Sequence, residues 1–454
     1  MIKVKLLAKT DAEPLALASH AALKCYQAES PELGKTINVE DRLFNPGHHT
    51  TMQHTFFTFD VEGIAIGDIT AGLHLVSPFY NSDQRSGRYC ATLFSNPDYK
   101  KIEEYITTFW PSVKTTELDQ IIDYVYSGVQ TYNNNIARAT EITRKFLKEE
   151  RPFASEKSLD VSAPKIAQEQ LRMFIPAIFP TGLDFTVNTT ALVAMYLSAW
   201  TPAMKNLTGQ MARIVMDEFP QLSFAFDPEK RRADEWGFDL HIRPHTICTS
   251  PSILVKKIGK DKRFVMPKLE HMHPVDLLHF MPEYMPNSVE EIETEIEISF
   301  ATMGQDQRHR TIRRGNPIFS GDFYLPAVPA KCGLSPEAEN LIVKWKSFHS
   351  RIPKSLLTVM APYGAMVYYT KVGSYNAIAH EQIKRLCWCA QEEISEVGRL
   401  MRLDIQNRFD VNSKLLRILQ PPCYETGKCV EGARYCGRDL RVRTPETYFP
   451  KRKV

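Results

Sequence analysis

The 454-residue sequence has no apolar run long enough to cross a membrane. Its longest such stretch, around residues 191–200, falls well short of the roughly 20 residues a spanning helix needs. Residues 1–14 turn polar too soon for a secretory signal. There is no P-loop and no G-x-G-x-x-G turn, so the common mononucleotide and dinucleotide cradles lack their main signal. No C-x-x-C pair occurs among the nine cysteines, and an odd count suits a reducing compartment better than a disulfide scaffold. An excess of one charge is missing too. The 56 Lys and Arg against 53 Asp and Glu leave +3, too balanced for holding bulk nucleic acid. These absences predict a soluble cytoplasmic protein with no membrane partner and no nucleic-acid partner. Cys423, Cys429 and Cys436 read as unpaired tail cysteines, because a metal site would need a fourth ligand at recognisable spacing.

What is present is an ordinary globular composition, 43% hydrophobic and 24% charged, with length for two or three domains. Alternation predicts strands at 2–7, 56–61 and 293–300. Helical periodicity predicts helices at 16–25, 119–148, 189–216 and 377–403, the last carrying Cys387 and Cys389 inside it. The Pro- and His-rich region 227–283 holds the expected junction between halves. The fold class expected is α+β.

Three local patterns carry chemistry. In Gln305-Asp-Gln-Arg308-His309-Arg310, two guanidiniums bracket an imidazole just after a strand, a fork of donors suited to a flat anion. The plain alternative is a solvated basic turn running on to Arg313 and Arg314. In Ser86-Gly87-Arg88-Tyr89, a glycine lets the backbone approach a phosphate while hydroxyl and guanidinium add bonds. The third, His48-His49-Thr50-Thr51-Met52-Gln53-His54, precedes a strand; its spacing fits a strand-entry loop as well as a site.

Together these patterns resemble the flavin-dependent thymidylate synthases, whose motifs are H-x-S/T-x-x-E-H, Q-x-x-R-H-R, S-x-R-Y, E-x-x-R-x-x-L-P and R-x4-A-Q-x-E-I. The first half matches with His48-x-Thr50-x-x-Gln53-His54, with Ser86-Gly87-Arg88-Tyr89, and with Glu169-x-x-Arg172 leading to Pro176. Its R-H-R position reads Leu73-His74-Leu75, and the late arginine falls on Ala199. The second half has the opposite gaps. Gln305-x-x-Arg308-His309-Arg310 and Arg385-x4-Ala390-Gln391-x-Glu393-Ile394 are intact, and Ser288-x-x-Glu291 matches part of the first motif. Asp322 and Thr358 replace the arginines of S-x-R-Y and E-x-x-R. The resemblance therefore implies a tandem duplication with complementary motif loss: one copy in residues 1–235, a second in 236–415, and a Cys-containing tail in 416–454.

The resemblance also implies an activity. It is reductive methylation of dUMP by an enzyme using FAD, with NADPH and methylenetetrahydrofolate as co-substrates, at a composite site between the halves. Two chains would form a homodimer with pseudo-tetrameric symmetry. Arg385 and His48 are the implied catalytic residues, Arg385 beside uracil O2 and N3 and His48 near the folate. Ser86, Gly87, Arg88, Tyr89, Arg172, Gln305 and Arg308 would join Arg385 in holding substrate. Thr50, Ser288, Glu291, Arg308, His309, Arg310, Asn188 and His380 would face FAD. No metal is implied. A non-catalytic nucleotide-binding or regulatory paralogue, and a relative with altered one-carbon chemistry on a pyrimidine deoxynucleotide, are the alternatives.

Overall fold

Strand β2 (Phe56–Ala65) puts Phe57, Phe59 and Val61 on one face, all fully buried, with polar residues between them. It is the centre of an antiparallel sheet with β1 (Lys3–Lys9), β3 (Tyr80–Gln84) and β4 (Pro180–Asn188), in the order β1-β2-β4-β3. Gly63 takes φ +82 at the point where the β2–β4 register shifts, a bulge that a side chain would strain. The structure, a computed structural model, describes residues 1–76, 80–87, 90, 92–259, 291–409, 416–417, 419–432, 435–441 and 449–454. The fold is α+β.

Between β3 and β4 run α2 (Thr115–Glu150) and α3 (Glu156–Leu171), following α1 (Pro14–Lys24) earlier in the chain. After β4 come α4 (Thr189–Ser198) and α5 (Pro202–Glu218). The periodicity of 189–216 suggested one helix. It is two, because Thr201 caps α5 by accepting the Met204 N–H at 3.1 Å and Pro202 takes the first helical position.

The second sheet gathers β5 (Asp239–Leu240), β6 (Ile247–Cys248), β7 (Ser252–Ile258), β8 (Glu291–Ser299), β9 (Arg313–Arg314), β10 (Ile318–Tyr324) and β11 (Ala365–Ser374). Its main path is β5-β10-β11-β8-β7, with β6 on β10 and β9 on β11. The helices are α6 (Phe300–Asp306), α7 (Ser335–Ser347), α8 (Lys354–Val359), α9 (Tyr375–Arg385) and α10 (Glu392–Arg408). The two sheets share an arrangement. Each has a central antiparallel pair (β2 with β4, β8 with β11), an outer strand beside the first member, and a short strand beside the second. In each, a helical stretch follows the first member, Ile66–Asp68 running on to Val76 or α6, and a capped helix follows the second.

The periodic stretch 377–403 is likewise broken, at Cys387–Ala390, so Trp388 and its flanking cysteines lie in a bend between α9 and α10. A broken helix frees carbonyls that need donors. Here Arg151 donates to the Trp388 carbonyl and Arg452 to that of Ala390, each at 3.1 Å. Those donors come from elsewhere in the chain, and helical periodicity carries no trace of them.

The halves meet at Pro176 and Pro362, which face each other in an antiparallel bridge. Around it, Ala177 N–H donates to the Ala361 carbonyl, Tyr363 N–H to Ile175 and Gly364 N–H to Met173, each at 2.9 Å. Trp110 Nε1 adds a bond to Ser355 Oγ at 2.8 Å, and the Tyr124 hydroxyl one to the Met360 carbonyl at 3.1 Å. A bundle of long helices was the expected junction; extended segments form its centre instead. One hydrophobic core runs through both halves, from Phe57 and Phe185 to Phe323 and Val367.

Candidate active site

A cavity of about 300 Å³ opens where the helical stretch after β2 comes up to α6. Ile66 and Thr70 line it from one side, and Phe300, Ala301 and Gly304 from the other. Arg172, in the short turn after α3, reaches it with Ser86 and Gly87, which follow β3. From the second half come Gln305 and Arg308, after α6, and Arg385, the last residue of α9. Arg85 on the rim is paired with Glu62, and Asp83 is the acid in the lining. Three further guanidiniums against that one acid make the cavity a place for an anion.

One buried amide joins the two sides. Gln391, fully buried before α10, accepts through Oε1 from Arg172 Nη2 at 3.1 Å and from Gln305 Nε2. Arg385 Nη2 donates to the Gln305 carbonyl at 2.6 Å. The Arg172 guanidinium lies 5.2 Å from the Tyr363 ring centroid, and burial pushes the Tyr363 hydroxyl up to about 12. Two residues on, Glu393 takes the Ser299 N–H at 2.6 Å and the hydroxyls of Ser299 and Thr302 at 2.5 Å, tying the start of α10 to that of α6.

The arginine-rich turn 308–314 is anchored from within, unlike a solvated basic run. Arg314 pairs with Asp306 at 2.5 Å and donates to the His309 and Ile312 carbonyls at 3.0 and 2.8 Å. Asp306 also takes Lys371 Nζ at 3.0 Å, and Lys371 reaches Glu381 at 2.8 Å. Burial pushes Asp306 up, yet Arg314 and Lys371 hold its carboxyl well below the usual range. The network fixes which way the turn presents Arg308, His309 and Arg310. Arg310 donates to Asn81 Oδ1 at 2.8 Å and stands 4.3 Å from the Tyr80 ring centroid, so it spans to β3 of the other sheet. His309 is buried and its imidazole is lowered to about 2, by burial first and by Arg385 next. It is neutral at any physiological pH.

The family model for thymidylate synthase complementing proteins matches residues 5–221. The first half of the chain belongs to that family. A thymidylate synthase X structure from Helicobacter pylori, with FAD and dUMP, is 15% identical over 50% of this chain and 98% of its own, with TM-score 0.33. A UMP/dUMP methylase from Streptomyces cacaoi, bound with 5-Br UMP, is 18% identical over 50% of this chain and 93% of its own, with TM-score 0.30. No curated protein matches the chain.

Of the family motifs, the structure gathers Ser86, Gly87 and Arg172 with Gln305, Arg308 and Arg385 around one cavity. Arg88, Tyr89 and Ser288 lie outside the described residues. His309 and Arg310 stand behind Arg308, with His380 facing His309 at 5.6 Å between ring centroids. Other motif residues are elsewhere. His48 and Thr50 are exposed beside the helical turn His49–His54 and do not line the cavity. Asn188 caps α4, its Oδ1 accepting the Ala191 N–H at 2.8 Å, and Glu291 pairs with Arg313 at 2.5 Å. Tyr363 and the apolar lining residues had no signal in the sequence. Gln391 stood inside the R-x4-A-Q pattern without an assigned role.

The shared arrangement of the sheets gives the cavity a counterpart place. Thr358 precedes Pro362 as Arg172 precedes Pro176, and Ala199 follows its cap Asn188 as Arg385 follows Ser374. Between Thr358 and Ala199 the space is filled. Thr358 Oγ1 accepts the Phe238 N–H at 2.9 Å, and Phe238 packs on Trp236 and Trp236 on Trp200, with centroids 5.6 and 5.0 Å apart. Ala199, Trp200 and Met204 form their own apolar cluster there.

Proposed function

We propose that the chain is two tandem copies of the family fold that share one complete nucleotide pocket, and that it methylates dUMP at C5. The observation that supports this most is the single cavity receiving guanidiniums from both halves, with its counterpart closed by aromatic rings. On this reading Ser86, Gly87, Arg88 and Arg172 hold the phosphate, and Gln305 and Arg308 touch the nucleotide from the other half. The Arg385 guanidinium sets two parallel donors against O2 and N3 of the uracil, stabilising the anionic imide and raising electron density at C5.

In the reaction C5 loses its proton and gains a methyl group, whose carbon comes from methylenetetrahydrofolate and whose hydride comes from FAD reduced by NADPH. The residues beside the cavity suit a flavin. Nε2 of His309 and Nε of Arg310 are buried donors or acceptors without hydrogen-bond partners among the described residues. Two chains in a homodimer would bring the exposed His48 and Thr50 of one toward the pocket of the other.

Purified protein should be yellow, its FAD fluorescence should change on adding dUMP, and C5-tritiated dUMP should release tritium in an NADPH-dependent way. Arg385→Ala should abolish the release while the protein stays folded. Colourless protein that ignores added FAD would overturn the proposal. Tight dUMP binding with neither tritium release nor NADPH oxidation would favour the non-catalytic paralogue.

A further inference from the structure

A second cavity, of about 150 Å³, lies on the other side of the bend between α9 and α10. Arg151, Lys165 and Arg452 line it, with Ser162, Glu169 and Trp388. It shares no lining residue with the candidate active site. Glu169, which opens the E-x-x-R pattern, lines this cavity, whereas Arg172, which closes it, lines the other.

The two arginines are unusual in their burial. Each is 8% exposed, and the bonds each makes go to main-chain oxygens. Arg151 Nη2 donates to the Trp388 carbonyl, while its Nε is buried without a partner among the described residues. Arg452 donates to the Ala390 carbonyl and the main-chain oxygen of Val454, and its Nη1 is likewise orphaned. Buried guanidiniums normally face carboxylates, since an uncompensated charge out of water is costly. The acids in reach do not match the cations. Glu169 is on the wall, and Glu150 is spent on the Lys453 N–H at 2.6 Å and is itself raised by burial. Burial and then Arg452 lower Arg151 to about 10, the mark of two like charges held together.

We propose that this cavity is a binding site for a phosphoryl-class oxyanion, separate from the nucleotide pocket. Its three cations supply several N–H donors to one small tetrahedral anion. The volume has room for about five waters, enough for a phosphoryl group and too little for a nucleotide. The occupant is free inorganic phosphate or the phosphoryl end of a small phosphomonoester whose remainder leaves through the mouth.

The test is thermal unfolding of the full chain at fixed ionic strength, with sodium phosphate or glycerol phosphate replacing sodium chloride. Phosphate should raise the midpoint by several degrees in wild type and equally in Arg172→Gln, which disables phosphate binding in the nucleotide pocket. Lys165→Gln alters an exposed side chain and should fold normally. It should need about tenfold more phosphate for the same shift, one lost charge-assisted contact. Arg151→Gln should abolish the shift. A phosphate response that vanishes in Arg172→Gln, or that survives unchanged in both Lys165→Gln and Arg151→Gln, overturns the proposal. Glycerol phosphate matching or exceeding inorganic phosphate assigns a monoester; a response to inorganic phosphate alone assigns the free ion.

Discussion

Replacing Gln391 by Leu separates the two halves of the proposed pocket without opening a cavity, because the volumes are similar. In the folded protein one amide oxygen takes Arg172 Nη2 at 3.1 Å and also Gln305 Nε2. Arg172 is 5% exposed, so a guanidinium donor left bare there is penalised as a charged group, by about 1.5–3 kcal/mol. The neutral Gln305 donor adds about 1 kcal/mol. The loss divides between stability and ligand affinity, according to how far Arg172 swings toward the cavity when released. A share of about 1.4 kcal/mol in binding is a tenfold weaker dUMP complex. Calorimetric titration with dUMP and a denaturant melt measure the two shares together. Gln391→Glu, which restores an acceptor and adds a charge partner for Arg172, should recover much of both. The reasoning fails if Gln391→Leu binds dUMP within twofold of wild type and melts with it, since Arg172 and Gln305 would then not depend on the shared amide.

Three further outcomes follow from particular contacts. Glu392 is buried beside Glu169 and Glu393, and its carboxyl is pushed up to about 8, by burial first and those neighbours next. A raised carboxyl favours the fold at low pH and loses that contribution as pH climbs toward 8. Glu392→Gln should therefore gain stability over wild type from pH 5 to pH 8, on the order of 2–4 kcal/mol in urea melts, with little difference at pH 5. Lys371→Met strands Asp306 and Glu381, both fully or nearly buried, and should lower stability by about 3–5 kcal/mol, read as a drop in melting midpoint. Gly87→Ala would put a methyl group 2.9 Å from Phe94 Cζ and 3.5 Å from Arg172 Nη1. It should weaken dUMP about tenfold at an overpacking penalty of about 1–3 kcal/mol.

The strands and long helices were legible because periodicity is a local property. Alternation in β2 and the long amphipathic stretch of α2 mark their elements. What periodicity missed were the interruptions. The break at Cys387–Ala390 exists because Arg151 and Arg452, remote in the chain, take the carbonyls that a continuous helix would have used. The arginine-rich turn looked solvated because the groups neutralising it, Asp306, Lys371 and Glu381, come from three separate elements. At the site, residues whose chemistry is written in their side chains could be named in advance. Tyr363 and Gln391 act by where they pack, and packing across two halves of a chain leaves no spacing to read.

The closed counterpart turns the complementary motif pattern into a number that can be counted. Where Arg172 and Arg385 stand on either side of an open cavity, Thr358 and Ala199 stand on either side of Phe238, Trp236 and Trp200. Offset and edge-on aromatic packing of this kind contributes beyond simple burial, so opening the counterpart for a nucleotide would forfeit several kcal/mol. No ligand with the modest affinity of a substrate complex returns that. Titration should therefore saturate at one dUMP per chain, and Trp236→Ala, which thins the plug, should lower stability without adding a second equivalent, because Thr358 and Ala199 supply no guanidinium for the phosphate or the base. Two equivalents per wild-type chain would mean that the rings move aside, and that the loss of arginines from each half says nothing about where the nucleotide binds.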